Sequence, residues 1–317
     1  MVKAVLITGA TGKQGGAVVN SLLEQNADLQ ILAVTRNATS PSALRLKEKS
    51  DKIKLVQGNL DDPEDIFQKA KDVAEEWPIE GVFSVQAPLG PSGSTAKEET
   101  QGKALITAAL NNNVRHFVYT SVDRGGALSS DNATNIPHFI SKHHIEQHLF
   151  NALRSSPQHQ QQLTYTILRP VAFFDNLTPD FIGRAFASMI AVSLLPHDSK
   201  KLQFIAVSDI GYFGAAALIH PENPVYKNQA ISLAGDEVSY DELRKVFREK
   251  TGKELPVTWN WIARLMLWGV KELGTMFRWF GEKGYGADIG ELRKVYPGLK
   301  DLGAWLERDS KFETKAE

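Results

Sequence analysis

The chain has 317 residues, enough for two domains or for one large α/β domain with an appended lobe. Lys and Arg number 36 and Asp and Glu 37, and the resulting charge of −1 speaks against a nucleic-acid coat or a polybasic membrane anchor. With 0 cysteines there is no disulfide, thiolate nucleophile or thiolate metal site, so any redox response must run through a bound redox molecule.

The amino end enters an apolar run over residues 2–8 without a signal-peptide layout. Further apolar runs follow at 31–35, 53–57, 81–86, 117–121 and 165–168. Helical patterns lie between them at 14–23, 63–76, 96–111 and 141–153. Near-continuous Val/Ile/Leu strands alternating with helices predict an α/β fold of the Rossmann type, a doubly wound parallel sheet with helices on both faces. Residues 124–137 are polar and rich in Gly, Ser and Asn, which reads as a mobile loop, and 155–162 read as a surface connection. Beyond Pro170 the alternation fades. A helix is expected at 179–192 and a strand at 202–207. Asp209 is expected to cap a helix over 210–219, and Ser239 with Glu242 has capping-box spacing. The tail is helical and carries Trp259, Trp261, Trp268, Trp279 and Trp305. The expected division is a cofactor domain over 1–170 and a smaller α/β lobe over 171–317 that contributes back to the sheet. The charged residues Arg264, Lys271, Glu272 and Arg278 exclude a bilayer crossing in the apolar stretch 259–280. A cytoplasmic protein that also visits the nucleus is the expectation.

The strongest motif is Gly9-Ala10-Thr11-Gly12-Lys13-Gln14-Gly15-Gly16, between the first strand and the first helix. Gly9 permits the turn off the strand, Gly12 admits a pyrophosphate to the backbone, and Gly15 lets the helix approach the sheet. The helix start then offers N–H groups and a positive dipole end, with Thr11 and Gln14 beside them. At the end of the second strand an NAD site carries Asp or Glu to accept from the ribose 2′-hydroxyl. Here Arg36 stands there, and no carboxylate follows until Glu48. A guanidinium pairs with a 2′-phosphate, and Lys13 adds a second cation, so NADP(H) is the expected cofactor. Asn59 and Asp61 after the third strand are candidates for the adenine edge. Gln86 and Ala87 after the fourth are candidates for the nicotinamide ribose.

Together with AVTRN and GNLDD, this opening resembles the cofactor half of the NmrA-like family, an atypical branch of the short-chain dehydrogenases/reductases. ILRPVAFFDN, AVSDIG, TMFRWF and YPGLKDLGAWLE are similar to its C-terminal half. The resemblance covers nearly the whole chain and is nearest the HSCARG-type members, which act as NADPH sensors. The fungal NmrA regulators and the isoflavone-reductase-type enzymes are more distant. It implies NADP(H) binding and a small lobe framing a cleft.

Reductases of the parent superfamily use Ser, Tyr and Lys, with the Tyr four residues before the Lys. Ser121 and Lys142 fit the first and last places, and His138 stands where the Tyr belongs. Two readings stay open. In the first, the acid is gone, Lys142 clamps the ribose, and cofactor binding is the output, relayed to a protein partner. NmrA regulators are similar in carrying His at this place. In the second, the protein is an NADPH-dependent reductase of a small apolar carbonyl or quinone, with His138 as proton donor. Phe173, after the sixth strand, is a candidate for stacking near the nicotinamide. His138, His143, His144 and His148 read as a helix surface rather than a metal face, and no metal is expected.

Overall fold

The computed structural model describes residues 3–86, 94–194 and 200–315. In chain order the first elements are β1 (Lys3–Ile7), α1 (Lys13–Glu24), β2 (Leu29–Thr35), α2 (Pro41–Lys47), β3 (Ile53–Gln57), α3 (Pro63–Ala74), β4 (Ile79–Ser84), α4 (Thr95–Asn111) and β5 (His116–Thr120). Then come α5 (Pro137–Arg154), α6 (Pro157–Gln162), β6 (Thr164–Pro170), β7 (Ala172–Phe173), α7 (Phe181–Leu194), β8 (Leu202–Ile205), α8 (Val207–Ile219), β9 (Gln229–Leu233) and β10 (Asp236–Val238). The last are α9 (Tyr240–Thr251), α10 (Asn260–Gly269), α11 (Lys271–Glu282), α12 (Ile289–Val295) and α13 (Leu302–Arg308).

The main sheet has the order β3-β2-β1-β4-β5-β6-β9. Its pairs from β3 through β6 are parallel, with Ile7 opposite Ala33 and Phe83 opposite Val118. The strands are buried on both faces because helices cover both, which explains their unbroken apolar runs. Strand order reverses between β1 and β4. In such sheets the crevice beyond the carboxyl ends of the strands at that point is where ligands sit. A second sheet, β10-β8-β7, has β7 parallel and β10 antiparallel to β8.

By contacts the chain forms two compact units, each assembled from three segments. The first comprises Met1–Ser121, Ile140–Arg169 and Ile210–Ile231, and the second Val122–Phe139, Pro170–Asp209 and Ser232–Glu317. A single cut at residue 170 does not describe this division, because most of α8 and the start of β9 return to the first unit. Gly211 makes that return feasible. A Cβ there would lie 2.6 Å from the Ala17 backbone, so α8 lies directly on α1. The first unit's core includes Leu6, Leu32, Phe67, Val82, Phe117 and Ile167. The second is built on Phe174, stacked on Phe204 and Trp305 at centroid distances of 5.2 and 5.4 Å.

Three expectations, for residues 157–162, Asp209 and residues 124–137, are revised. Residues 41–47 and 157–162 are helical, each opened by a capping Ser before a Pro, Ser40 and Ser156. Asp209 does not cap α8, which starts at Val207. Its buried carboxylate instead takes the Lys300 backbone N–H at 2.9 Å and Nζ at 3.1 Å. The segment 124–137 is not a loose loop. Arg124 is fully buried, and its guanidinium donates to the Val122, Ser129 and Asn132 carbonyls. The tryptophans divide, with Trp279 and Trp305 in the core and Trp259, Trp261 and Trp268 exposed. The Ser239–Glu242 capping box is present with both its hydrogen bonds. No described helix is long and apolar enough to cross a membrane.

His116 opens β5 and is buried between Thr164 and Thr166, 2.8 and 3.0 Å from their hydroxyls. Burial pushes its pKa from 6.5 down to about 4. The folded chain therefore takes up this proton only near pH 4, whereas the unfolded chain takes it up near 6.5. Stability is fully present above pH 6.5 and falls as pH drops toward 4, by on the order of 3 kcal/mol from this group. Urea unfolding across that window will show the loss, and His116→Gln will flatten it. Equal slopes in the two proteins would contradict this assignment.

Candidate functional site

The turn after β1 is held in place before any ligand arrives. The Thr8 hydroxyl accepts from the Val85 N–H at 2.8 Å and faces the Phe83 and Val85 carbonyls at 3.1 Å, which ties β1 to the end of β4. Gly9 turns the chain with φ +59, a conformation that disfavours a side chain. The Gly12 N–H donates to the Gly9 carbonyl at 2.8 Å, and α1 begins at Lys13 with no side-chain cap. Its first amides point outward at the positive end of the helix dipole. Gly15 is the tightest position. A Cβ there would stand 2.4 Å from the Gly9 oxygen and 2.6 Å from the Thr8 oxygen. Gly12 is exposed, and a Cβ on it would meet only the Gly9 oxygen, at 3.2 Å. Thr11 and Lys13 are exposed beside it. Gln14 is half-buried, and its Oε1 accepts from the Thr120 hydroxyl at 2.6 Å.

Because β1 and β2 are parallel and in register, Arg36 emerges at the same sheet edge as the glycine turn, and it is exposed there. Asn59 and Asp61 sit at the next strand end along. The Asp61 carboxylate is shared by Lys97 at 2.9 Å, Gln101 at 2.7 Å and Asn59 at 2.9 Å. The hydrogen bond from Lys97, more than any other contact, holds its pKa below the usual carboxylate value. Asp61 therefore ties this strand end to α4. Gln86 is buried at the end of β4. Its amide nitrogen donates to Ser84 at 2.9 Å, and its Oε1 has no hydrogen-bond donor among the described residues. Ala87 lies outside the described residues.

Ser121 and Lys142 are both buried, and each is held by a glutamate. The Ser121 hydroxyl donates to Glu146. Glu146 is itself gripped by Arg169, with Nη2 at 2.6 Å from Oε2 and Nε at 3.2 Å from Oε1. Lys142 Nζ lies 2.9 Å from Glu98 Oε1, an ion pair without hydrogen-bond alignment, and donates to the Thr120 carbonyl at 3.4 Å. Glu98 Oε2 also accepts from the Ser141 hydroxyl at 2.5 Å. His138 does not face open solvent. Its Nδ1 is 2.6 Å from Glu272 Oε1, and both residues belong to the second unit. Phe173, also in the second unit, is half-buried at the end of β7, whereas Phe174 is core. The structure thus joins Gln14, Thr120 and Lys142 at the end of β5, and it gives Ser121 and His138 separate carboxylate partners. His144 pairs with Glu99 at 2.9 Å, and His148 faces Thr107.

The family model described as "NmrA-like family" matches residues 1–306. The chain belongs to the NmrA-like family. An NmrA-like family domain-containing protein of Dictyostelium discoideum is 29% identical over 323 residues, 99% of each chain. Two solved structures share the fold. One is the NADPH-dependent quinone oxidoreductase of Escherichia coli, in complex with NADPH, with a TM-score of 0.68, 20% identity and coverage of 96% of this chain and 98% of that one. The other is the triphenylmethane reductase of Citrobacter sp., complexed with NADP(H), with a TM-score of 0.67, 18% identity and coverage of 96% and 99%. At these identities the likeness shows the fold alone.

Sequence reasoning missed Glu98 and Glu146 in this NmrA-like chain. The available signal was spacing. Glu146 is four residues after Lys142 on α5, flanked by the fully buried Ile145 and Leu149. Buried ion pairs cost most when one partner is removed. Glu98→Ala, which strands the Lys142 ammonium, will lower unfolding stability by roughly 3–5 kcal/mol in urea denaturation. Glu98→Ala/Lys142→Met will lose less than Glu98→Ala alone. A double variant that loses the sum of both single effects would show that the two charges do not interact.

Proposed function

We propose that this chain binds NADP(H) at the carboxyl edge of its main sheet and that occupancy, rather than rapid turnover, is its output. The observation that carries the reading is the glycine turn. Gly15 fits against the Thr8 and Gly9 oxygens where no side chain would, and an uncapped helix start follows. That cradle suits a pyrophosphate. The buried Gln86 Oε1, which has no donor among the described residues, suits a hydroxyl or amide donor from the nicotinamide half. Arg36 and Lys13, both exposed at the turn's edge, supply the charge that a 2′-phosphate needs. Lys142 would orient the ribose from the end of β5. When bound, NADPH supplies a hydride donor.

The regulatory reading draws on what the candidate acids do. The Ser121 hydroxyl donates to Glu146, and His138 Nδ1 lies against Glu272. Sensing requires that NADPH and NADP⁺ bind with different affinity or favour different conformations. The exposed Trp259 and Trp261, stacked at 6.2 Å, together with Trp268 on α10, support a protein partner as recipient of that signal. The reductase reading keeps one favouring observation, the buried Lys142 ammonium held at the end of β5.

Calorimetric titration will show NADPH binding, and Arg36→Asp will weaken it by about tenfold or more while leaving NADH nearly unchanged. Equal NADPH affinity in the variant would remove Arg36 from the site. Following NADPH absorbance with quinones, ketones and aldehydes will show no sustained turnover. Turnover abolished by Lys142→Ala would replace the sensor reading with the reductase.

A further inference from the structure

A cavity of about 710 Å³ lies wholly within the second unit, between residues 124–135 and residues 275–286. Pockets for small ligands typically span about 300–1,000 Å³. Its walls are stitched together by one buried carboxylate. Asp123 Oδ1 accepts from the Gly125 N–H at 2.9 Å and the Gly286 N–H at 3.0 Å. Its Oδ2 accepts from the Gly126 N–H at 2.9 Å and the Ser232 hydroxyl at 2.5 Å. Gly126, with φ +61, sits so near the opposite wall that a Cβ would stand 2.2 Å from the Gly286 oxygen. The Arg124 guanidinium is fixed by three carbonyls, as described above. The floor is therefore rigid, and its two charges offset each other.

The rim is different. Arg278 and Lys283 are exposed cations lining the cavity, and Glu282 is its one rim carboxylate. The rim thus carries one net positive charge. Leu128, 69% exposed, and Trp279, with 7% of its surface exposed, are the apolar residues along this rim. Asn132 and Thr134 add polar groups along one wall. A single excess charge beside an apolar wall matches a monoanion with a hydrophobic body. Glu282 disfavours a dianion such as a phosphate monoester, and a planar guanidinium matches a carboxylate.

We propose that this cavity binds a small cyclic monocarboxylate, with its carboxylate against Arg278 and Lys283 and its ring against Leu128 and Trp279. The site is independent of the dinucleotide reading.

The test is calorimetric titration of the full chain with 2-naphthoate and with uncharged 2-naphthamide. Naphthoate will bind at one site, and the amide at least about tenfold more weakly. Arg278→Gln/Lys283→Gln will weaken naphthoate by about tenfold or more, and Glu282→Gln will tighten it by about threefold. All three side chains are exposed, so these variants keep the fold. Saturating NADP⁺ will leave naphthoate affinity unchanged. The proposal is overturned by absent saturable binding, by equal affinity for the amide, by an unaffected double variant, or by displacement with NADP⁺.

Discussion

The start of α1 rests on the carbonyl oxygens of Thr8 and Gly9, and the rest of the site depends on that contact. Gly15 is buried against them at a separation that leaves no room for a Cβ. The helix is therefore drawn down onto the sheet at the point where strand order reverses. Its uncapped amides and dipole then face the crevice beyond the strand ends. Register does the next step. With Ile7 opposite Ala33, the end of β2 delivers Arg36 to the same edge. Cradle and cation are consequences of one close approach and one parallel pairing.

Burying charge is costly, and this chain does it at the end of β5 and in the second unit. At the end of β5, Lys142 is met by Glu98 from α4, and Ser121 by Glu146, itself held by Arg169. These pairs set side-chain positions that loose surface residues would not hold. The same economy recurs in the second unit, where Asp123 gathers five donors from three separate stretches of chain. In each place a buried carboxylate fixes the geometry of the chain around it.

Much of the fold was legible because its signals are local. Apolar runs alternating with helical periods mark β1 to β6, and the spacing of Gly9, Gly12 and Gly15 marks the turn between β1 and α1. The short helices α2 and α6 were missed although Ser40-Pro41 and Ser156-Pro157 announce them, since their few turns carry little periodicity. Arg124 was hidden by its neighbours. Gly, Ser and Asn signal a loop, but nothing local says that a guanidinium will be buried in it. Glu98 and Glu146 were missed for a related reason. A glutamate on an amphipathic helix reads as solvated until the facing strand ends are known. Of the candidate site, the glycine turn and Arg36 rest on spacing and order along the chain. What binds Ser121, Lys142 and His138 depends on partners 25, 44 and 134 residues away, which no window of sequence brings together.

The central claim is that the α1 amides and the Arg36 guanidinium hold the phosphates of a dinucleotide. A crystal structure of the chain grown with NADP⁺ tests it most directly. The account predicts the pyrophosphate within hydrogen-bond distance of the backbone at Gly12–Gln14, about 3 Å, and the 2′-phosphate against Arg36. A dinucleotide bound elsewhere, or none bound at saturating concentration, would contradict it.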